Sequence, residues 1–220
     1  CWLDMKRENF DSYTQLLREN GVDRLYHITH RENWESIRLN GIYSSESIAK
    51  KNISAKFISD EVTHACDEKL GLNGYVHLTF STNPVFLASA LKANIIGNDY
   101  IVIEIALNVL NNDETIFCNM DSHYDDAMKG TNITSLSSIN FSAATATDRS
   151  KIAFKDRRFC TAEILVPGHI SSEHILNRIE IDNIINDIQK GDEFKRNLLV
   201  VMVDETTNMR LPITINGHSY

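Results

Sequence analysis

The chain has 220 residues, 42% of them hydrophobic and 24% charged, with 22 basic against 30 acidic side chains and a net charge of −8. That length and mix suit an ordinary globular protein that fills a core without disulfide staples. The acidic total excludes a protein that coats nucleic acid by bulk charge, so any contact with a strand must be local.

Four cysteines, Cys1, Cys66, Cys118 and Cys160, stand far apart with no C-x-x-C pair. They signal neither a disulfide framework nor a zinc site and point to reduced thiols in a cytoplasmic setting. No apolar run approaches the ~20 residues that span a bilayer, and no secretory leader is recognisable. With three prolines, no repeat and no linker-like stretch, a single domain over 1–220 is expected.

Apolar positions at Phe10, Tyr13, Leu16 and Leu17 predict a helix over Lys6–Asn20, closed by Gly21. "RLYHITH" (Arg24–His30) alternates like a short strand. In the following "THRENWESIRLNG", Thr29 and Glu32 have the spacing of a capping box and Gly41 that of a helix stop. From Ser44 to Gly74 the pattern is poor, apart from a helical "SESIAKK", and a long excursion is expected. "YVHLTFS" (Tyr75–Ser81) predicts a strand, and Asn83 with Pro84 a helix start. "YIVIEIAL" (Tyr100–Leu107) is the clearest strand, and "TIFC" (Thr115–Cys118) a shorter one. Residues 119–150 are polar and read as loop with a turn of helix. "FCTAEILV", "RIEI", "LLVVMV" and "LPITI" predict further strands, with a helix near Asn183–Lys190. Many strands, several helices and no regular alternation of the two predict an α+β fold.

Three stretches hold residues suited to chemistry. Along "AEILV", alternation puts Ala162, Ile164 and Val166 on one face and Glu163 with Leu165 on the other. Glu163 therefore shares a partly apolar face, where a bare carboxylate is costly and needs a partner. In "YHITH", His27 and His30 are three apart and point to opposite faces, which argues against a two-histidine metal site. Thr29 shares the face of His27, so the pair can offer a ring nitrogen and a hydroxyl to a ligand. "KIAFKDRR" (Lys151–Arg158) is the densest basic segment, with Phe154 and Phe159 interleaved. Aromatics beside cations suit stacking on bases while gripping phosphates. "HAC" (His64–Cys66) and "DSHYDD" (Asp121–Asp126) have no spacing that supports a metal or nucleophile role, and no nucleotide-binding glycine loop or zinc-protease motif is present.

Three blocks resemble a known family in the same order: "LYHITHRENWESIRLNGI", "GYVHLTFSTNP" and "RRFCTAEILVPGHISSEHI". They are similar to the DarT family, toxins of DarTG toxin–antitoxin systems that use NAD⁺ to ADP-ribosylate bases in single-stranded DNA; relatives of the same build modify RNA. The resemblance implies an ADP-ribosyltransferase-like split, mainly antiparallel β core with flanking helices, in a bacterial toxin or phage-defence effector. It implies NAD⁺ as co-substrate, no metal, a single-stranded DNA or RNA partner, and a macrodomain-type antidote protein. Glu163 matches the catalytic glutamate. A fixed carboxylate there stabilises the positive charge that develops on the ribose as nicotinamide departs.

His27 and Thr29 match the block that holds NAD⁺, with His27 on the adenosine-side ribose and Thr29 on the nicotinamide side. Phe80, and after it Tyr75, are the candidates to stack on nicotinamide. Lys155, Arg157 and Arg158 would grip the strand, with Phe154 or Phe159 on a base. Two departures stand out. Thymidine-modifying members carry an arginine in the excursion after the first block, whereas no arginine occurs here between Arg38 and Arg149. Lys56 and His64 are the candidates to replace it. The second block also lacks the arginine found near its proline, reading Ser81-Thr82-Asn83-Pro84. Both departures favour guanine or RNA as target at least as much as thymidine. A protein-directed transferase and a non-catalytic NAD⁺- or nucleic-acid-binding module of the same fold are the alternatives.

Overall fold

The structure, a computed structural model, describes residues 7–57, 61–82, 100–147 and 151–180 and two short strands at 214–215 and 218–219. Helix α1 (Phe10–Glu19) buries Tyr13, Thr14 and Leu17. Phe10 and Leu16 pack beside them on the core, as their spacing requires. Strand β1 (Arg24–His30) runs into a 3₁₀ turn (Arg31–Asn33) and then α2 (Trp34–Asn40). The cap differs from the expected box. In the tighter 3₁₀ turn the Glu32 amide reaches back only two residues and donates to His30 Nδ1 at 3.1 Å. Thr29 instead accepts a bond from the Asn33 side chain at 3.0 Å.

Gly41 ends α2 at φ 82°, and a Cβ there would lie 2.1 Å from the Ile170 carbonyl oxygen. That close approach lets β2 (Ile42–Tyr43) pair with β8 (His169–Ile170) in a separate ribbon. The excursion that follows carries α3 (Ser45–Lys51), as the pattern predicts, and α4 (Glu61–Leu70), which weak periodicity conceals.

The main sheet has the order β6–β5–β7–β3–β1–β4–β9. Its other strands are β3 (Tyr75–Thr79), β4 (Tyr100–Ala106), β5 (Ile116–Cys118), β6 (Lys129–Gly130), β7 (Glu163–Pro167) and β9 (Ile175–Glu180). Neighbouring strands are antiparallel, so the α+β class with a split, mainly antiparallel core holds. Two short helices, α5 (Ile133–Ser137) and α6 (Phe141–Ala144), lie in the stretch read as loop. β9 begins earlier than the "RIEI" motif, at Ile175. A small hairpin joins β10 (Thr214–Ile215) to β11 (His218–Ser219). The helices expected from Asn83 and near Asn183–Lys190, and the strand "LLVVMV", fall outside the described residues.

One face of the sheet holds the main core. Leu25, Val76, Leu78, Ile101, Ile103, Ile105, Phe117, Ile164 and Val166 pack there under α1, α2, α5 and α6. The other face of β3, β5 and β7 carries a smaller cluster of Leu72, Cys118 and Leu165, flanked by Tyr75 and Ile116. The split lies between β1 and β3. Among the described residues these strands pair at one position, Tyr26 with Thr79, whereas β1 pairs with β4 from Arg24 to His30.

Candidate active site

Glu163 opens β7 opposite Thr79 of β3 and Cys118 of β5. Alternation turns it to the face of Leu165, away from the main core, and leaves it 8% exposed. A carboxylate at that depth must be compensated. The backbone N–H of Ser122 donates to Oε1 at 2.6 Å, and His77 Nδ1 bonds Oε2 at 2.8 Å. His77 reaches it from β3, two residues before Thr79 on the same face. Each carboxylate oxygen has a second lone pair, so a substrate hydroxyl can still be bonded.

Behind these two donors stands a chain of charges. His123 Nε2 bonds Asp67 Oδ1 at 2.9 Å, and its Nδ1 lies 3.1 Å from Asp121 Oδ1. The bonds to Asp121 and Asp67 outweigh burial and raise the His123 pKa to about 10, so the ring is an imidazolium. His77 Nε2 lies 3.8 Å from the same Asp67 oxygen. Burial lowers the affinity of His77 for a proton, but the charge and hydrogen bond of Glu163, with Asp67, outweigh it and raise the pKa. The Cys118 thiol, buried beside Glu163, is pushed up to about 12 and stays protonated.

On the other side of the split, His27 Nδ1 meets the His77 carbonyl oxygen at 3.0 Å. The ring reaches across the split to that carbonyl, away from the one described position where β1 and β3 pair. A carbonyl can only accept, so Nδ1 carries the hydrogen. Burial drives the His27 pKa down to about 4, so the ring is neutral and Nε2 is left as an acceptor for a hydroxyl. His27 and Thr29 line a small pocket with Asn33, Ile37, Tyr43 and Ser54. Asn33 pins the pocket wall: its side chain donates to the Lys56 carbonyl at 2.7 Å and accepts from the Lys56 amide at 2.9 Å.

Glu163, His27 and Thr29 thus stand around the split, joined through His77. Other expected residues fall elsewhere. Phe80 follows Val76 and Leu78 in alternation, packs edge-on against Phe141 in the main core and is 4% exposed; no ring can stack on it there. Tyr75 is on the Glu163 face but pairs with Pro167, four residues from Thr79, roughly 13 Å along the strand. It is too far to cover a ring at Glu163. The Lys56 ammonium is held at 2.5 Å by Glu32. His64 sits on α4 one turn before Asp67, with its ring edge-on to Phe57 at 4.7 Å.

The basic approach forms a 3₁₀ segment, Phe154–Thr161. Phe154 is 70% exposed and Lys155 is exposed. Arg157 donates through Nε to the Ile152 carbonyl at 3.1 Å and lies over the Phe154 ring. Phe159 is half-buried. Arg158 bonds Asp126 at 2.5 Å and lies over Tyr124. Through this surface pair it braces the 119–128 loop that supplies Ser122.

Sequence reading missed His77, Asp67, Ser122, His123 and Asp121. The alternation of "YVHLTFS" does turn His77 away from Val76 and Leu78. Asp67 directly follows "HAC", and "DSHYDD" itself contains Asp121, Ser122 and His123, so α4 and a loop bring these residues up behind Glu163. Among the described residues no group of three or more histidines, cysteines and acids can hold a metal ion, and no helix is long and apolar enough to cross a membrane.

A sequence model of the family described as "ssDNA thymidine ADP-ribosyltransferase, DarT" matches residues 26–186. No curated protein matches the chain by sequence. Among solved structures, Thermosipho africanus DarTG in complex with ADP-ribose is similar at TM-score 0.62 and 19% identity, covering 76% of this chain and 46% of that one. This chain therefore spans less than half the length of the Thermosipho protein. Thermus sp. 2.9 DarT is similar in its complex with ADP-ribosylated single-stranded DNA (TM-score 0.57, 13% identity) and with NAD⁺ (0.54, 13%), each covering 80% of this chain and 90% of that one. At these identities the structural likeness speaks for the fold.

Proposed function

The chain belongs to the DarT family of single-stranded DNA thymidine ADP-ribosyltransferases, and on that premise we propose that it transfers ADP-ribose from NAD⁺ to a base in single-stranded DNA, with Glu163 as the catalytic carboxylate. One observation carries the reading: a buried glutamate beside the split, braced by a backbone N–H and an imidazole yet keeping lone pairs free. In this reading the adenosine-side ribose of NAD⁺ meets His27, whose Nε2 accepts a hydroxyl, and Thr29 stands on the nicotinamide side. The nicotinamide ribose passes the split to Glu163. The carboxylate accepts a hydrogen bond from the ribose 2′-hydroxyl and stabilises the cation that forms as the C1″–nicotinamide bond breaks. A base nitrogen then bonds to C1″ and loses its proton, so that nicotinamide, ADP-ribosylated base and one proton are the products.

In this reading Phe154 and Lys155, both exposed, receive the strand together with Arg157. Thymidine is the first expectation from the family. The absence of an arginine between Arg38 and Arg149 makes guanine and RNA the outcomes to check against it. A toxin role, with a macrodomain-type antidote as partner, is part of the same reading, supported by the likeness to Thermosipho africanus DarTG.

Labelled NAD⁺ incubated with mixed-sequence single-stranded DNA and RNA, followed by mass spectrometry of the nucleosides, tests the reading. Label on thymidine in DNA, lost in Glu163→Gln, is the expected result. No transfer to any nucleic acid, or transfer indifferent to that substitution, overturns it.

A further inference from the structure

We propose that His77, steadied by Asp67, is the positioning residue that fixes the Glu163 carboxylate for transfer. The inference rests on the reading of Glu163 as the catalytic group. His77 is the one described side chain that bonds the Glu163 carboxylate. The other bond comes from a backbone amide in the 119–128 loop, so the rotamer of Glu163 depends on a side chain from the neighbouring strand. The diagonal register makes this contact rigid. His77 and Glu163 lie on one face of paired strands, and Thr79 holds the place directly opposite Glu163.

The far ring atom adds a second constraint. His77 Nε2 is buried with no hydrogen-bond partner, yet it faces the Asp67 oxygen at 3.8 Å. That oxygen is shared with the His123 imidazolium, which holds Asp67 in place. The titratable groups around the ring are Glu163 from β7, Asp67 from α4 and Asp121 and His123 from the loop, with the neutral His27 of β1 behind its backbone. Carboxylate, imidazole and carboxylate thus stand in line, and the outer pair sets the direction in which the ring can donate. The His77 carbonyl meanwhile holds His27. The backbone of this residue serves the NAD⁺ pocket and its side chain serves the carboxylate, which makes the two roles separable by mutation.

Asparagine places its side-chain N–H close to where histidine carries Nδ1–H, whereas alanine has no donor. His77→Ala is expected to lower the transfer rate at saturating NAD⁺ on the order of 10- to 100-fold, the scale of a misplaced catalytic group, with NAD⁺ affinity by calorimetry close to wild type. His77→Asn should recover most of that loss. In the intact wild type, nitrogen NMR of the ring should show Nδ1 protonated and a titration midpoint above that of a free imidazole, lowered by Glu163→Gln.

If Glu163→Gln transfers as fast as wild type, the reading of the site fails, whatever His77 does. If Glu163→Gln is inactive while His77→Ala is fully active, or while the Ala and Asn variants are equally impaired, this inference alone is overturned. Should His77→Ala fail to fold, the NMR titration decides: a His77 midpoint indifferent to Glu163→Gln also overturns it.

Discussion

Two glutamates lie on one cross-sheet row, Glu163 of β7 and Glu104 of β4, linked through Thr79 and Tyr26. Each is 8% exposed, and each stands among apolar neighbours on its strand. Glu104 faces the Arg24 guanidinium at 3.1 Å, a permanent cation that Asp23 and Glu104 hold charged beyond its ordinary range. It sits on a strand paired along both edges. Glu163 has a backbone amide and an imidazole instead, and the strand beside it borders the split. Burial is equal, so burial does not mark the site. What differs is the partner and the gap: a guanidinium saturates a carboxylate, whereas two single donors orient it and leave room for a substrate.

The largest expected effect separates the two at once. Glu163→Gln should lower transfer of labelled ADP-ribose to single-stranded DNA by roughly 10²–10³, the cost of losing one preorganised stabilising group, while Glu104→Gln leaves the rate as it is. Equal losses in the two variants would erase the distinction.

Stability should divide differently. Leu165, fully buried on the same face as Glu163, is packing rather than chemistry. Leu165→Ala should cost about 2–5 kcal/mol in urea unfolding, well beyond the cost of Glu163→Gln. A smaller effect is expected of Glu104→Gln. The Arg24 side chain is 36% exposed and solvent screens the pair, so the loss should be about 1 kcal/mol or less and should shrink as salt is added.

The finest test is the pH profile of stability. The His27 pKa is about 4 when folded, against an ordinary 6.5. The unfolded chain therefore binds that proton more readily, and the stability from keeping His27 neutral is full above 6.5 and lost as pH falls toward 4. His123 has the opposite sign. Its pKa is raised to about 10, so its contribution is full below the ordinary value of 6.5 and lost as pH rises through 10. Urea midpoints measured from pH 4 to 10 should fall at both ends. His27→Gln should flatten the acid limb and His123→Asn the alkaline one. The Arg24–Glu104 pair should add nothing to the alkaline limb, because the guanidinium keeps its charge there.

Much of the frame is visible in the order of residues, because strand and helix periods are local. The spacing Phe10, Tyr13, Leu16, Leu17 makes α1, and "YIVIEIA", apolar on both faces, makes the doubly covered β4. Alternation alone turns Glu163 away from Ile164 and requires a partner for it. The same rule turns His77 outward and Phe80 inward. Alternation therefore places Phe80 in the core, against Phe141 and away from any stacked ligand.

Which partner meets Glu163 is a different kind of fact. Ser122 lies 41 residues before it and His77 lies 86 before it. Their meeting depends on the antiparallel register of β3 with β7 and on the path of the 119–128 loop. The split that frees the His77 carbonyl for His27 exists only because β1 and β3 diverge on either side of Tyr26 and Thr79. The sequence by itself determined that a buried carboxylate would sit at the start of β7 and need compensation, since alternation and the cost of burying charge act within a few residues. That an imidazole and an amide compensate it beside the split follows from the tertiary structure, because strand pairing and loop closure join residues that no local period relates.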